Sequence, residues 1–243
     1  MSTVAQPLAA TPLRHEALKA RVIQQPWLDF PSACNMIAII LVQIVMARTP
    51  NSRKHETHDR IVEVAARAIR RHGYSGVGVA DVMKQAGLTH GGFYAHFDSR
   101  DVMLVEALER AGADSACMLN GAIGARIAKG ASPFRALVET YLDDYHLAAM
   151  ETGCPVAALG SDMPRQSPTV RKASALRVQR FIDAVRAALP AASRAPAAVV
   201  SATLIGSLQL ARALGDTAEG REVLAAARKT LIEQYDRPAP AAG

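Results

Sequence analysis

The stretch Val79-Ala-Asp-Val-Met-Lys-Gln-Ala-Gly-Leu-Thr-His-Gly-Gly-Phe-Tyr-Ala-His-Phe97 reads as two short helices joined by a glycine turn. Val79, Val82, Met83 and Ala86 recur at i, i+3, i+4 and i+7, so the first helix has one apolar face. Gly87 supplies the left-handed residue that ends it, and Leu88 tucks under the turn. Thr89 is placed to N-cap a second helix, with Phe93 and Phe97 facing inward and Thr89, His90, Gly91, Tyr94 and His96 facing out. Small donors, acceptors and a phenol on an outward face suit a helix laid in a major groove.

On either side the pattern supplies supports for this unit. Ile61, Val64, Ala65, Ala68 and Ile69 make an apolar stripe, with Arg60, Arg67, Arg70 and Arg71 among the polar positions, and Gly73 stops the helix. The expectation is a support helix with a basic side. Ser75-Gly76-Val77-Gly78 forms the next turn, and Asp98-Ser99 caps a long connector helix from about Arg100, carried by Val102, Val105 and Leu108.

Farther on, Ser132-Pro133 predicts an N-cap followed by proline at the first helical position, opening a helix from Phe134 to about Met150. Gly153-Cys154-Pro155 restarts a shorter element ending near Asp162. Ser167-Pro168 opens another helix, with Val170, Ser174, Val178, Phe181, Ile182, Val185 and Leu189 along one face. A final pair covers Pro196 to Leu214 and Glu219 to Tyr235, and the Pro/Ala-rich tail over residues 237–243 reads as loose. No strand-period run of useful length occurs, so the fold class is all-α: a three-helix helix-turn-helix head joined by a connector helix to a larger helical domain.

Half of the 243 residues are apolar and only 5% aromatic, which favours close-packed helices. The net charge of +6 is compatible with a polyanionic partner without requiring one. Three cysteines, Cys34, Cys117 and Cys154, lack the paired short spacings of a zinc site or a disulfide framework, so the expected compartment is the reducing cytoplasm. Gly76-Val77-Gly78 has no third glycine and no preceding strand, which removes a dinucleotide fingerprint. His90 and His96 are six apart, not the i, i+4 spacing of two metal ligands on one helix face, and Asp143, Asp144 and His146 read as a solvated face. Neither a catalytic site, a metal nor a cofactor is expected. Residues 1–45 differ in composition, with Pro7, Pro12, Pro26 and Pro31 and an apolar run from Met36 to Met46. That run falls short of the roughly twenty residues that span a bilayer, so no membrane association is expected. Met46 is read as the natural start and residues 1–45 as a non-native or disordered extension; the alternative is a segment that docks its apolar run on the domain.

Residues from about Ser52 to Asp114 resemble the DNA-binding head of the TetR family of bacterial transcriptional regulators. The resemblance is carried by the Ile61 to Gly73 helix, Val82, Ala86-Gly87-Leu88-Thr89, Gly92-Phe93-Tyr94, His96-Phe97 and Ser99-Arg100. Two departures stand out: Val77 and Gly78 occupy positions where a phosphate-touching hydroxyl is common, and Arg100 replaces the usual lysine. The resemblance implies DNA contacts from Thr89, His90, Gly91, Gly92, Tyr94, His96 and Arg100, with Arg100 as a phosphate clamp and His96 either touching phosphate or bracing the next helix. It divides the chain into a head over residues 46–114 and an effector-binding and dimerisation domain over residues 115–236. Phe134, Tyr141, Tyr145, Cys154 and Phe181 are candidate ligand contacts. Cys154, at a helix start, is also a candidate sensor of electrophiles or oxidants. The last two helices would pair two copies, with Leu204, Gly206, Leu208, Leu224 and Leu231 suiting close approach. The implied protein is a homodimeric repressor released from a near-palindromic operator by a small effector. The opposing reading is an α-helical enzyme or adaptor that uses the head for protein contact.

Overall fold

The first helix of the computed structural model, α1 (Pro50–His72), shows how the described residues, 50–191 and 196–236, come together. The expectations for residues 1–45, for the arm from Met46 and for the tail lie outside them. Ile61, Ala65, Ala68 and Ile69 are buried along the expected stripe, but Val62, Ala66 and Arg70 are buried as well. The second covered face arises because α1 packs against three elements: α2 (Val79–Gln85), the long connector α3 (Arg100–Ala128) and the short α6 (Pro155–Leu159). Arg70 therefore does not belong to a basic outer side, and this corrects the sequence-based expectation. It is 3% exposed, donating from Nη1 to Ala111 O at 3.1 Å and Thr152 O at 3.4 Å, with Asp114 3.7 Å away.

The turn after α2 follows the sequence closely. Gly87 has φ +73°, its amide donates to Lys84 O at 3.0 Å, and the Leu88 amide donates to Met83 O at 2.8 Å. These two bonds are a Schellman motif, and they need a residue without a Cβ penalty at the left-handed position. The next element, His90–Ala95, is a 3-10 helix rather than the expected α-helix. Its bonds run from Gly92 N to Thr89 O at 3.1 Å and from His96 N to Phe93 O at 2.9 Å. Adjacent glycines are unfavourable in an α-helix by about 1 kcal/mol each, so the short segment settles into the tighter spiral.

The remaining helices are α4 (Pro133–Tyr141), α5 (Asp144–Ala148), α6, α7 (Pro168–Ala188), α8 (Ala197–Leu214) and α9 (Ala218–Tyr235), with a 3-10 turn at Met163–Arg165. The expected caps are present: Ser99, Ser132 and Ser167 accept from the amides of Val102, Arg135 and Val170. Thr217, not singled out in the sequence, caps α9 in the same way through Gly220 N. The single helix expected from Phe134 to Met150 is broken. Leu142 ends α4, and the Asp143 carboxylate accepts from Tyr145 N at 2.9 Å to start α5. An aspartate that caps its own helix start competes with continuation of the preceding helix.

Behind the head, α3, α4 and α7 pack on one another, α8 covers α7 and carries α9 beside it, and α9 returns to α4. The face of α7 is largely as expected, with Val170, Ser174 and Val185 buried and Val178, Phe181 and Ile182 partly so. The loop after α1 is sewn to it, the Tyr74 hydroxyl lying 3.3 Å from Ser174 Oγ. No strand occurs among the described residues.

Candidate nucleic-acid interface and interior cavity

In the head, two stacked rings hold the outward face. Phe93 and Phe97 are 1% and 2% exposed with centroids 5.4 Å apart, and His58 of α1 stacks on Phe97 at 4.5 Å while pairing with Glu106 of α3 at 2.6 Å. Burial of these rings leaves the intervening residues on the surface. Tyr94 is 73% exposed, its ring edge against Phe93. His90 and Gly91 are exposed, and a side chain added at Gly91 would meet open space. Gly92 is closer in, with Met83 Cε 3.6 Å from where a Cβ would stand. Thr89 occupies the N-cap backbone position, yet its hydroxyl makes no cap bond and remains available on the surface. Arg53 and Lys54 are exposed at the start of α1 and add cationic groups to the head.

His96 and Arg100 are placed differently from the other site residues. The half-buried His96 ring lies 6.1 Å from His58, and its Nδ1 has no hydrogen-bond partner. Burial, with His58 and Lys54 adding to it, pushes its pKa down and favours the neutral ring. Arg100 turns inward, its Nη2 donating to Tyr74 O and, at 3.1 Å, to Val77 O, with Nε adding 3.3 Å to Val77 O. Three donors fixed on two carbonyls make Arg100 a brace for the turn between α1 and α2. The phosphate clamp expected from the sequence would need those donors facing outward. Arginine's fork serves this turn, where a lysine would supply a single point charge.

A cavity of about 110 Å³ lies between α3, α4, α6 and α7. Of the candidate ligand contacts, Tyr141, Cys154 and Phe181 line it. Phe134 and Tyr145 do not, which corrects the other two candidates. Phe134 is fully buried with its ring edge-on to Tyr235 of α9, 6.3 Å away, and Tyr145 is 67% exposed because the break at Leu142 and Asp143 turns it off the bundle. Sequence reasoning missed the earlier part of the α3 wall, where Gly112, Ser115 and Ala116 face the cavity. The low-contrast pattern of α3, rich in alanine and glycine, gave little sign of which side would face in.

Below the cavity a polar knot fixes the Thr152 to Pro155 step. Cys154 N donates to His146 Nε2 at 3.0 Å, and His146 Nδ1 lies 2.7 Å from Tyr141 O. An amide can only donate, so Nε2 is the acceptor and Nδ1 carries the proton. Burial holds the His146 pKa down at about 4, with the Arg212 charge working in the same direction. Arg212 of α8 donates to His146 O at 2.8 Å and Ala149 O at 3.2 Å, collecting the carbonyls at the end of α5. Gly153 is needed here: a Cβ would come within 2.6 Å of Ala149 O and 2.8 Å of Arg212 Nη2. Cys154 is only 4% exposed, so its thiol reaches solvent poorly, whereas Cys117 is exposed. His146 and Asp143 are thus structural, not the solvated face that their spacing suggested.

Residues 61–107 match the model of the bacterial regulatory proteins of the tetR family. An uncharacterized HTH-type transcriptional regulator of Mycobacterium tuberculosis is 31% identical over 173 residues, 65% of this chain and 85% of that protein. Among solved structures, reduced Escherichia coli NemR is similar in fold, with TM-score 0.63, 18% identity and coverage of 76% of this chain and 100% of that one. A TetR transcriptional regulator from Chloroflexus aurantiacus gives TM-score 0.60 at 20% identity, covering 75% of this chain and 97% of that one. A helical protein with an exposed reading turn over a buried ring pair belongs to the class of helix-turn-helix DNA-binding regulators. Within that class, the chain belongs to the TetR family of transcriptional regulators.

Proposed function

We propose that two copies of this chain bind a near-palindromic operator and repress transcription until a small molecule enters the cavity. The observation that carries this reading is the exposed surface from Thr89 to Tyr94 above the buried Phe93 and Phe97. Thr89, His90 and Gly91 lie at its leading edge, where short side chains let a backbone approach base edges, and Gly92 keeps the turn tight. Tyr94 offers its hydroxyl to a phosphate oxygen. His96, neutral and half-buried, braces the ring stack more than it contacts DNA. In this reading the head over residues 46–114 recognises DNA, residues 115–236 bind the effector and pair two copies, and a protein that acts on an operator works in the cytoplasm.

Mobility shift with the gene's own upstream DNA tests this, repeated across a salt series. Specific binding should weaken steeply with salt, since each neutralised phosphate contributes a slope of about −0.9 to log K against log salt. Tyr94→Phe should weaken binding at every salt concentration. Arg100→Gln should lower the melting temperature while leaving the slope unchanged; a slope reduced by about 1 with no change in melting would restore Arg100 as a phosphate clamp. A chain that shifts its own upstream DNA no better than unrelated DNA would overturn the regulator reading and favour a protein-contact role for the head.

A further inference from the structure

The cavity behind the head combines an apolar interior with an uncommitted positive edge. Leu119, Ile123, Leu137, Val156 and Phe181 supply its apolar walls. At about 110 Å³ it is somewhat smaller than an engineered cavity of about 150 Å³ that accepts benzene, a size that suits a single ring or a compact branched chain. The polar groups around it are unequal. Arg177 and Arg180 of α7 both line it, and no carboxylate does. Arg180 is paired with Glu109 at 2.5 Å. Among the described residues Arg177 has neither an ion pair nor a hydrogen bond, although it is partly buried. Its guanidinium is held over α3 by a missing side chain, since a Cβ at Gly112 would stand 2.0 Å from Arg177 Nη1.

An independent observation comes from Tyr141. It is 2% exposed, lines the cavity, and its hydroxyl has no hydrogen-bond partner among the described oxygen and nitrogen atoms. Burial pushes the phenol pKa well above its usual value, with the Cys154 thiol, another wall residue, adding to it as a neighbouring charge and a weak hydrogen-bond contact, so the hydroxyl stays neutral. A thiol is a weak hydrogen-bond partner, so the buried hydroxyl still lacks a strong acceptor, which a ligand oxygen would supply.

We infer that the cavity takes a small aromatic or compact branched carboxylic acid, its apolar body among the side chains and its carboxylate met by Arg177 and the Tyr141 hydroxyl. A cation and a neutral donor at one apolar cavity discriminate a carboxylate from the corresponding amide or alcohol, because charge-assisted hydrogen bonds are roughly twice as strong as neutral ones. This assignment of ligand class rests on the proposed effector role of the cavity.

Calorimetric titration of the full chain with benzoate, cyclohexanecarboxylate, benzamide and benzyl alcohol tests the ligand class. One of the acids should saturate a single site, with benzamide and benzyl alcohol binding roughly tenfold or more weakly. Arg177→Gln should weaken the acid roughly tenfold, and Tyr141→Phe severalfold. Gly112→Ala, which displaces the Arg177 guanidinium without touching Tyr141, should weaken it as well, circular dichroism confirming that each variant is folded. Equal binding of acid and amide, indifference to Arg177→Gln, or no binding of either acid to folded protein would overturn the assignment. Mobility shift separates it from the effector reading. An acid that binds through Arg177 but leaves the DNA complex intact overturns the effector role and keeps the ligand class; DNA release by a neutral compound alone does the reverse.

Discussion

His146 shows how one side chain ties the chemistry of the cavity floor to pH. It is 1% exposed and accepts the Cys154 amide at Nε2, so a second proton would set two donors against each other inside the protein. Its folded pKa of about 4 lies below the ordinary 6.5, so between those values the unfolded chain binds a proton that the folded chain refuses. The stabilisation is complete above pH 6.5 and is lost as pH falls through about 4. Urea unfolding at pH 7 and pH 4.5 should show a loss of about 2–3 kcal/mol from this residue. His96 shifts in the same direction and adds to the acid loss, so His146→Gln, which keeps a donor and an acceptor without titrating, isolates the contribution. An unchanged pH dependence in that variant would refute the account. Nothing in the sequence signalled this role, because Asp143, Asp144 and His146 follow one another as a solvated cluster would; only the break before Asp143 turns His146 inward.

At the scale of the element, α8 has two faces with different fates. Leu204 and Leu208, expected at a contact between two copies, are fully buried in the chain's own core, as is Leu224 of α9, with Leu231 at 3% exposure. The correction follows from helical phase: these leucines point back at the bundle, and the residues between them point away. Val199 and Leu210 are each 61% exposed and Leu214 is 49% exposed, while Gly206 on the same side has open space where a side chain would stand. α8 has a mean hydropathy of 1.5, yet only 33% of its residues are buried in the chain. An apolar stripe around a glycine suits close approach by a second helix. Leu210→Glu is therefore expected to convert a dimer into a monomer at micromolar concentration in sedimentation velocity, with helix content retained. A variant that sediments as the wild type would place the pairing surface elsewhere.

Across the molecule, α3 runs from the head into the cavity wall, and specific side-chain contacts tie α1 to the same region. Arg70 leaves α1 and holds both Ala111 O, one residue before the Gly112 wall, and Thr152 O, two residues before Cys154. Arg71 pairs with Glu151 on the same loop, and Asp162 packs within 2.5 Å of where a Cβ on Gly73 would stand. A shift of α3 or of the 152–154 step on ligand entry would thus be felt at the end of α1. Arg70→Met keeps most of the side-chain volume and removes the donors. It should lower unfolding stability by about 1–3 kcal/mol, measured in denaturant, chiefly because Thr152 O is left without a partner while Ala111 O keeps its bond within α3. A change below about 0.5 kcal/mol would show that Arg70 is dispensable and that the coupling runs elsewhere.

Much of the head was legible in the residue order, because its signals are local. Gly87 and Leu88 set the Schellman turn, serines at 99, 132 and 167 start helices through bonds spanning three residues, and the i, i+4 spacing of Phe93 and Phe97 puts both rings on one side. The all-helical class and the exposed reading turn follow from these short-range rules. What only the tertiary structure decided depends on which surfaces meet. A polar position on α1 became the buried Arg70 because α6 covers that side, and Arg100 turned inward because the carbonyls of Tyr74 and Val77 lie within its reach. Phe134 and Tyr145 left the cavity, and α3 entered its wall. Periodicity states that a helix has an apolar side; the partner of that side, and the polar groups trapped beside it, are set by packing between segments far apart in the chain.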